Sequence, residues 1–148
     1  DLVRIANKDD ISAIVQFQLS MAYETENIEL DKSTVKKGVL AVLEDETKGK
    51  YYIAEKDEKI IGSLLTTYEW SDWRNGTVLW IQSVYILPEF RRKGVYSKMY
   101  RYIKNIVRDD DSLNGIRLYA DKDNKIAHKT YQKLGMSPDH YLTFEWLK

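Results

Sequence analysis

Thr77-Val78-Leu79-Trp80-Ile81-Gln82-Ser83-Val84-Tyr85-Ile86-Leu87 runs directly into Pro88-Glu89-Phe90-Arg91-Arg92-Lys93-Gly94-Val95-Tyr96, and the rest of the chain can be placed around this junction. The first part is nearly continuous β-branched, aromatic and aliphatic sequence, as in a strand buried on both faces, and Pro88 ends it. Beyond the turn, Val95, Met99, Ile103 and Ile106, with Tyr96, Tyr100 and Val107 beside them, recur at helical spacing and predict a helix to about Arg108. A strand entering a helix through a basic turn leaves the first helical amides unpaired, which makes the helix start an anion site. Gly94 lets the chain turn and lets a ligand approach the main chain, while Arg91, Arg92 and Lys93 bring positive charge. Taken alone, the segment reads as a phosphate turn or as solvated surface charge. The triphosphate-loop pattern, with a lysine and a hydroxyl residue after a second glycine, is absent, and so is the dinucleotide glycine pattern.

Working outward, Leu2 to Ile5 reads as a short strand, and Asp9 or Asp10 as the cap of a helix with Ile11, Ile14, Val15 and Leu19 on one face. Asp31 opens a second helix carrying Val35, Val39, Val42 and Leu43. Tyr51 to Glu55 and Ile60 to Tyr68 form a hairpin across the polar Lys56-Asp57-Glu58-Lys59 turn. After the central strand, turn and helix come a strand at Gly115 to Ala120, a helix from Lys125 to Leu134 closed by Gly135, and a terminal strand at Tyr141 to Leu147. The expected class is α+β, a sheet with helices packed on its faces.

The 148 residues suit one core and are too few for two ordinary domains, so residues 1–148 are read as one domain. With 23 acidic and 23 basic side chains the net charge is zero, which argues against a general nucleic-acid or membrane-surface binder. There is no cysteine, hence no disulfide and no thiolate chemistry. No apolar run is long enough to span a bilayer and no secretory segment opens the sequence, so a cytoplasmic location is expected. His128 and His140 lie far apart without clustered carboxylates, and no metal is expected.

With Arg91, Gly94 and Tyr96 in its turn, the chain resembles the GCN5-related N-acetyltransferase (GNAT) superfamily, whose acetyl-CoA loop reads Arg or Gln, two residues, Gly, one residue, Gly or Ala. Tyr96 departs from the last position. A second signature lies in Leu118-Tyr119-Ala120-Asp121-Lys122-Asp123-Asn124, followed by Ala127, Tyr131, Leu134, Gly135 and Met136. The resemblance covers essentially the whole chain. It implies a mixed, mainly antiparallel sheet with helices on both faces and a splayed central strand pair, and acetyl-CoA as cosubstrate. It also implies pantetheine pairing with the main chain of Val84, Tyr85 and Ile86, and pyrophosphate held by the amides of Arg92, Lys93, Gly94, Val95, Tyr96 and Ser97. Tyr131 is similar to the family tyrosine that protonates the leaving thiolate. It stands seven residues after Asn124, two helical turns along the same side, and Asn124 either caps that helix or meets the cofactor. For Tyr131 and Tyr96 alike, simple packing is the competing reading; the Tyr96 ring is expected to point away from the pyrophosphate.

On the acceptor side, an alkyl amine with pKa about 10.4 is only ~0.04% neutral at pH 7, so a base is worth seeking. Relatives resembling polyamine and thialysine acetyltransferases place a Glu-Asp pair on the central strand, where this chain has Gln82 and Ser83. Those two residues can position a water and cannot serve as carboxylate bases. Glu69 and Asp72, in the aromatic Tyr68-Glu69-Trp70-Ser71-Asp72-Trp73 run, are candidate bases or acceptor contacts. Glu24 is another, in a Tyr23-Glu24-Thr25-Glu26 stretch similar to the acidic acceptor loop of the polyamine-type relatives. Aromatic rings beside carboxylates suit a cationic amine, although exposed acidic loops are also ordinary. The expected activity is direct transfer of acetyl to a primary amine, in a small molecule or a peptide, within a ternary complex. A noncatalytic acyl-CoA-binding or regulatory module is the alternative, and a nucleic-acid-binding module a third reading. The terminal strand would suit homodimer pairing.

Overall fold

The protein is described by a computed structural model over residues 2–148. The elements are β1 (Leu2–Ile5), α1 (Ile11–Glu26), α2 (Lys32–Glu44), β2 (Lys50–Lys56), β3 (Lys59–Ser71), β4 (Gly76–Ile86), α3 (Val95–Asp109), β5 (Leu113–Leu118) and α4 (Lys125–Lys133), with single 3-10 turns at Lys8–Asp10 and Pro88–Phe90. The strands form one sheet in the order β1-β2-β3-β4-β5, antiparallel except for the parallel β4–β5 pair. The class is therefore α+β, mainly antiparallel, as the sequence implied.

Strand β2 shows how the two faces are filled. Successive side chains alternate, so Tyr52 and Ala54 join Leu79, Met99 and Ile103 in the core beneath α3, while Tyr51 and Ile53 join Ile14, Val15 and Val39 beneath α1 and α2. Helices thus cover both faces. The β2–β3 turn places Asp57 at φ 51° and Glu58 at φ 64°, the two left-handed central residues of a tight hairpin whose twist matches its strands.

The first helix starts differently from expectation. Asn7 caps the preceding 3-10 turn by accepting from the Asp9 amide at 2.9 Å, and the Asp10 carboxylate accepts from the Asn7 amide at 2.8 Å. Asp10, only 2 % exposed, gives α1 no side-chain cap. Instead it takes both ends of the Arg4 guanidinium at 2.8 Å each, and Arg4 also reaches Glu55 on β2. The carboxylate that looked like a helix cap is a clamp between β1 and the start of α1. Asp31 does cap α2, accepting from the Thr34 amide at 3.0 Å.

Two further differences lie at the C-terminal end. The strand expected at Gly115 to Ala120 is β5, two residues earlier, so that Tyr119 and Ala120 leave the sheet. The terminal strand expected at Tyr141 to Leu147 does not form: residues 141–148 are irregular and have no sheet partner. Their alternation is that of a strand, but a strand also needs a neighbour's hydrogen bonds, and no described segment supplies them.

Candidate active site

The site begins with an irregularity in β4. Tyr85 pairs with Ser63 and Gln82 with Leu65, so two β4 residues, Ser83 and Val84, oppose the single Leu64 of β3. Ser83 takes φ 52°, a left-handed conformation that accommodates the extra residue of a bulge. A bulge bends its strand and sharpens its twist. Pairing of β4 with β5 accordingly ends at Ile81 and Leu118, and the strands diverge beyond that point. This is the splayed pair that the resemblance implied.

Past the bulge, the Leu87 amide donates to Ile61 of β3 at 2.8 Å. Antiparallel pairing alternates, so Tyr85 also turns its main chain to β3, whereas Val84 and Ile86 turn theirs toward the open side. The Ile86 carbonyl is occupied, accepting from Arg91 Nε at 2.8 Å. Of the three expected pantetheine contacts, Val84 therefore has both main-chain groups facing the gap, Ile86 its amide, and Tyr85 neither.

Arg92 at φ 61° and Gly94 at φ 81° are both left-handed, and this alternation turns successive amides of the basic turn to one side. The amides of residues 92–97 make no hydrogen bond to any described residue; the first helical bond runs from the Lys98 amide to Gly94. A Cβ added at Gly94 would meet nothing within 4 Å, so the space over the turn is open. Unpartnered donors, open space and the adjacent Arg92 and Lys93 fit a diphosphate. Arg91 is placed apart from this group: its guanidinium donates to Glu24 at 2.8 Å and lies over the Tyr85 ring.

Between the diverging strands lies a cavity of about 250 Å³ bordered by Gln82, Ser83 and Val84 on one side and by Leu118, Asn124 and Tyr131 on the other. Asn124 caps α4, accepting from the Ala127 amide at 3.1 Å, and borders the cavity as well. His128 Nε2 lies 2.7 Å from the Asp121 carbonyl and braces the loop into α4. The Tyr131 hydroxyl has no hydrogen-bond partner among the described residues, and burial pushes its pKa up. The Tyr96 ring packs edge-on against Tyr131, centroids 5.7 Å apart, with its hydroxyl buried and unpartnered. The bulky residue at the position where relatives carry a small one is thus turned into the packing between α3 and α4.

The acceptor-side candidates are dispersed. Glu69 accepts from Trp80 Nε1 at 2.9 Å and from Arg117, so one carboxylate ties β3, β4 and β5 together, and the Arg117 contact holds its pKa below the usual range. Arg91, helped by the Tyr85 hydroxyl at 3.0 Å, does the same to Glu24. Asp72 sits in the exposed β3–β4 turn, beyond the end of β3 at Ser71. Gln82 donates through Nε2 to Thr67, which leaves its carbonyl oxygen available. Sequence reasoning missed the bulge itself, whose only trace was a polar Gln-Ser pair inside an apolar strand. It also missed Met21 on the cavity wall, where Tyr119 and Ala120 of the second signature, given no role from sequence, lie as well. Among the described residues, no group of three or more His, Asp or Glu side chains is placed to hold a metal, and no helix is long and apolar enough to cross a membrane.

Comparison with known proteins finds relatives of the same fold. A possible acetyltransferase from Clostridium difficile 630 is 45% identical, superposes with a TM-score of 0.92, and is matched over 99% of this chain and 97% of its own. A predicted acetyltransferase from Clostridium acetobutylicum, solved with acetyl-CoA, shares the fold at 22% identity and a TM-score of 0.76, over 97% of this chain and 95% of that one. An aminoglycoside acetyltransferase from an uncultured soil metagenomic sample, in complex with sisomicin, shares it at 15% identity and a TM-score of 0.77, over 99% and 95% of the two chains. No curated protein matches. The model of the Acetyltransferase (GNAT) family matches residues 11–136, which takes in the bulge, the basic turn and Tyr131. That match spans most of the chain, and the chain belongs to the Acetyltransferase (GNAT) family.

Proposed function

We propose that this acetyltransferase moves the acetyl group of acetyl-CoA directly to a primary amine, of a small molecule or a peptide, with both substrates bound at once. The observation that carries the reading is the run of unpartnered amides at residues 92–97, linked through the Tyr96–Tyr131 contact to the cavity where β4 leaves β5. Acetyl-CoA supplies the activated carbonyl. The Arg92 to Ser97 amides, with Arg92 and Lys93, hold its diphosphate, and the open main chain of Val84 and the Ile86 amide guide the pantetheine arm as an added strand would pair. Asn124 borders the same channel.

Tyr131 donates a proton to the departing sulfur. A thiol near 8.5 and a phenol near 10 differ by ~1.5 units, and burial widens that gap, so the proton costs about 2 kcal/mol or more before the cofactor's own field acts. On the acceptor side Glu24 and Glu69 are engaged with arginines. Gln82 is then the group best placed to receive the amine, its carbonyl oxygen accepting from the nucleophile or from a water beside it.

The test is release of CoA across a panel of amines at saturating acetyl-CoA, for the native chain and for Tyr131→Phe. Turnover with at least one amine, and a tenfold or larger fall in kcat with little change in the KM for acetyl-CoA, are expected of the variant. Folded protein that binds CoA yet releases none with any amine would defeat the proposal.

A further inference from the structure

Trp80 and Tyr119 meet on a part of the sheet that the helices leave open. Strand residues two apart share a face, so Trp80 lies on the side of Gln82 and, through the cross-strand register, on that of Leu65, Thr67 and Glu69 of β3. On this side the packing of α1 and α2 reaches only as far as Leu65. Beyond it the Trp80 ring is half-buried, Tyr119 is 66 % exposed, and the two rings stand 4.6 Å apart at an angle of 40°. Glu69 takes the Trp80 Nε1–H, so the indole offers a ligand its apolar face alone. Tyr119 and Gln82 also border the cavity that holds Tyr131, and the aromatic floor therefore runs into the place of reaction.

The charges around this floor are already engaged. Glu69 accepts from Trp80 and Arg117, and the Arg117 guanidinium lies over the Tyr141 ring. Glu24 is held by Arg91, and on the far wall of the cavity Asp121 accepts from the Asp123 amide at 2.8 Å. A polycation is matched by several free carboxylates, whereas a single amine on a planar apolar body is matched by one acceptor and a flat surface. Trp80 and Gln82 are about 6.6 Å apart along the strand, a span that a tether of about two or three carbons bridges.

We infer that the acceptor is a small arylalkylamine, its ring laid on Trp80 and Tyr119 and its amine directed to the Gln82 carbonyl oxygen. The inference rests on the reading of the cavity as the place of acetyl transfer. The ammonium first gives a proton to solvent, and the neutral nitrogen then bonds to the thioester carbon as the carbon–sulfur bond breaks. The sulfur takes the Tyr131 proton, and the second proton of the nitrogen restores Tyr131 through solvent.

Release of CoA can be compared for phenethylamine, propylamine, spermidine, an aminoglycoside and a lysine peptide, with kcat/KM expressed per neutral amine so that differences in amine pKa drop out. The native chain should favour phenethylamine over propylamine by about tenfold or more, as burial of a ring allows, and over the other three by at least as much. The phenethylamine-to-propylamine ratio should fall to within about threefold of one in Trp80→Ala, drop in Tyr119→Ala, and survive in Trp80→Phe, which keeps a ring; damage to the fold alone lowers both amines together and leaves the ratio intact. Saturation-transfer NMR of phenethylamine with the CoA-bound protein reads the same contact without turnover. Transfer to the ring protons that Trp80→Ala abolishes, in a chain that acetylates no amine, supports the ring site and removes only the transfer reading. Turnover with a native ratio near one, a preference for spermidine, the aminoglycoside or the peptide, or a ratio that Trp80→Ala leaves unchanged would each overturn the inference.

Discussion

Arg91 and Glu24, 67 positions apart in sequence, meet at 2.8 Å and tie the basic turn before α3 to the last full turn of α1. The same carboxylate receives the Tyr85 hydroxyl, and the same guanidinium holds the Ile86 carbonyl. The arginine that leads the basic turn is thus held by α1.

Loss of Glu24 should therefore change cofactor binding more than stability. The pair is about two-fifths exposed on each side, and such pairs contribute about 1 kcal/mol or less. Glu24→Gln should leave the melting temperature within a few degrees, and it should free Arg91 to turn toward the diphosphate. The expected result is CoA binding tightened two- to tenfold, with a steeper salt dependence, read by calorimetry at two ionic strengths. Unchanged affinity and unchanged salt dependence would show that Arg91 does not reach the phosphates even when released.

Asp10 should behave in the opposite way, mattering to stability and not to turnover. Its carboxyl is buried, and the two Arg4 hydrogen bonds hold its pKa below the usual carboxylate range. A depressed carboxyl contributes stability above its unfolded pKa of about 3.9, and that contribution is lost as the pH falls through the lower, folded value. Removing one partner of such a buried pair costs about 3–5 kcal/mol, and the remaining Arg4–Glu55 contact points to the lower end. Asp10→Ala should thus lower the midpoint of urea unfolding markedly at pH 7, and the gap between native and variant should narrow as the buffer approaches pH 3. A gap that stays constant with pH would assign the loss to packing instead of charge.

These two contacts also mark what the sequence could and could not reveal. The β4-turn-α3 junction was legible because each of its signals is local: a continuous apolar run, a proline stop, a glycine, then helical spacing. Asp31 was legible for the same reason. Asp10 was misread because three neighbouring residues, Asn7, Asp9 and Asp10, all have cap chemistry, and Arg4 and Glu55 decide among them by tertiary pairing. The engagement of Glu69 by Arg117 depends on strand order, which no local pattern encodes. The tail at 141–147 has the alternation of a strand, yet alternation reports only a capacity to pair and says nothing of where the partner lies. The left-handed position of the bulge is taken by Ser83, a residue that sequence reasoning treats as ordinary, so the splay was foreseen only through family resemblance.

Tyr96 offers a stabilising substitution. Its hydroxyl is buried without a partner, while its ring packs against Tyr100 and Tyr131. A buried unsatisfied hydroxyl costs about 1–3 kcal/mol, and phenylalanine retains the ring contacts. Tyr96→Phe should therefore raise the melting temperature by several degrees and leave the KM for acetyl-CoA within twofold, because only the main chain of residue 96 is assigned to the diphosphate. A destabilised variant would mean that the hydroxyl has a partner in solution, such as a bound water.

The pH dependence of turnover separates a site with a carboxylate base from one without. Glu24 and Glu69 are both held below the ordinary carboxylate range by arginines, which makes them weak proton acceptors. If the amine loses its proton to solvent, kcat/KM for an alkyl amine should follow the neutral fraction, rising about tenfold per pH unit from pH 7 to 9 and levelling near ~10.4. Tyr131 does not bend the profile in that range, because burial raises its pKa and keeps its proton in place. A profile already on a plateau at pH 7 would instead reveal an internal carboxylate base. Glu24→Gln and Asp72→Asn then identify it, since the variant that removes the base restores the tenfold slope, whereas the other leaves the plateau where it was.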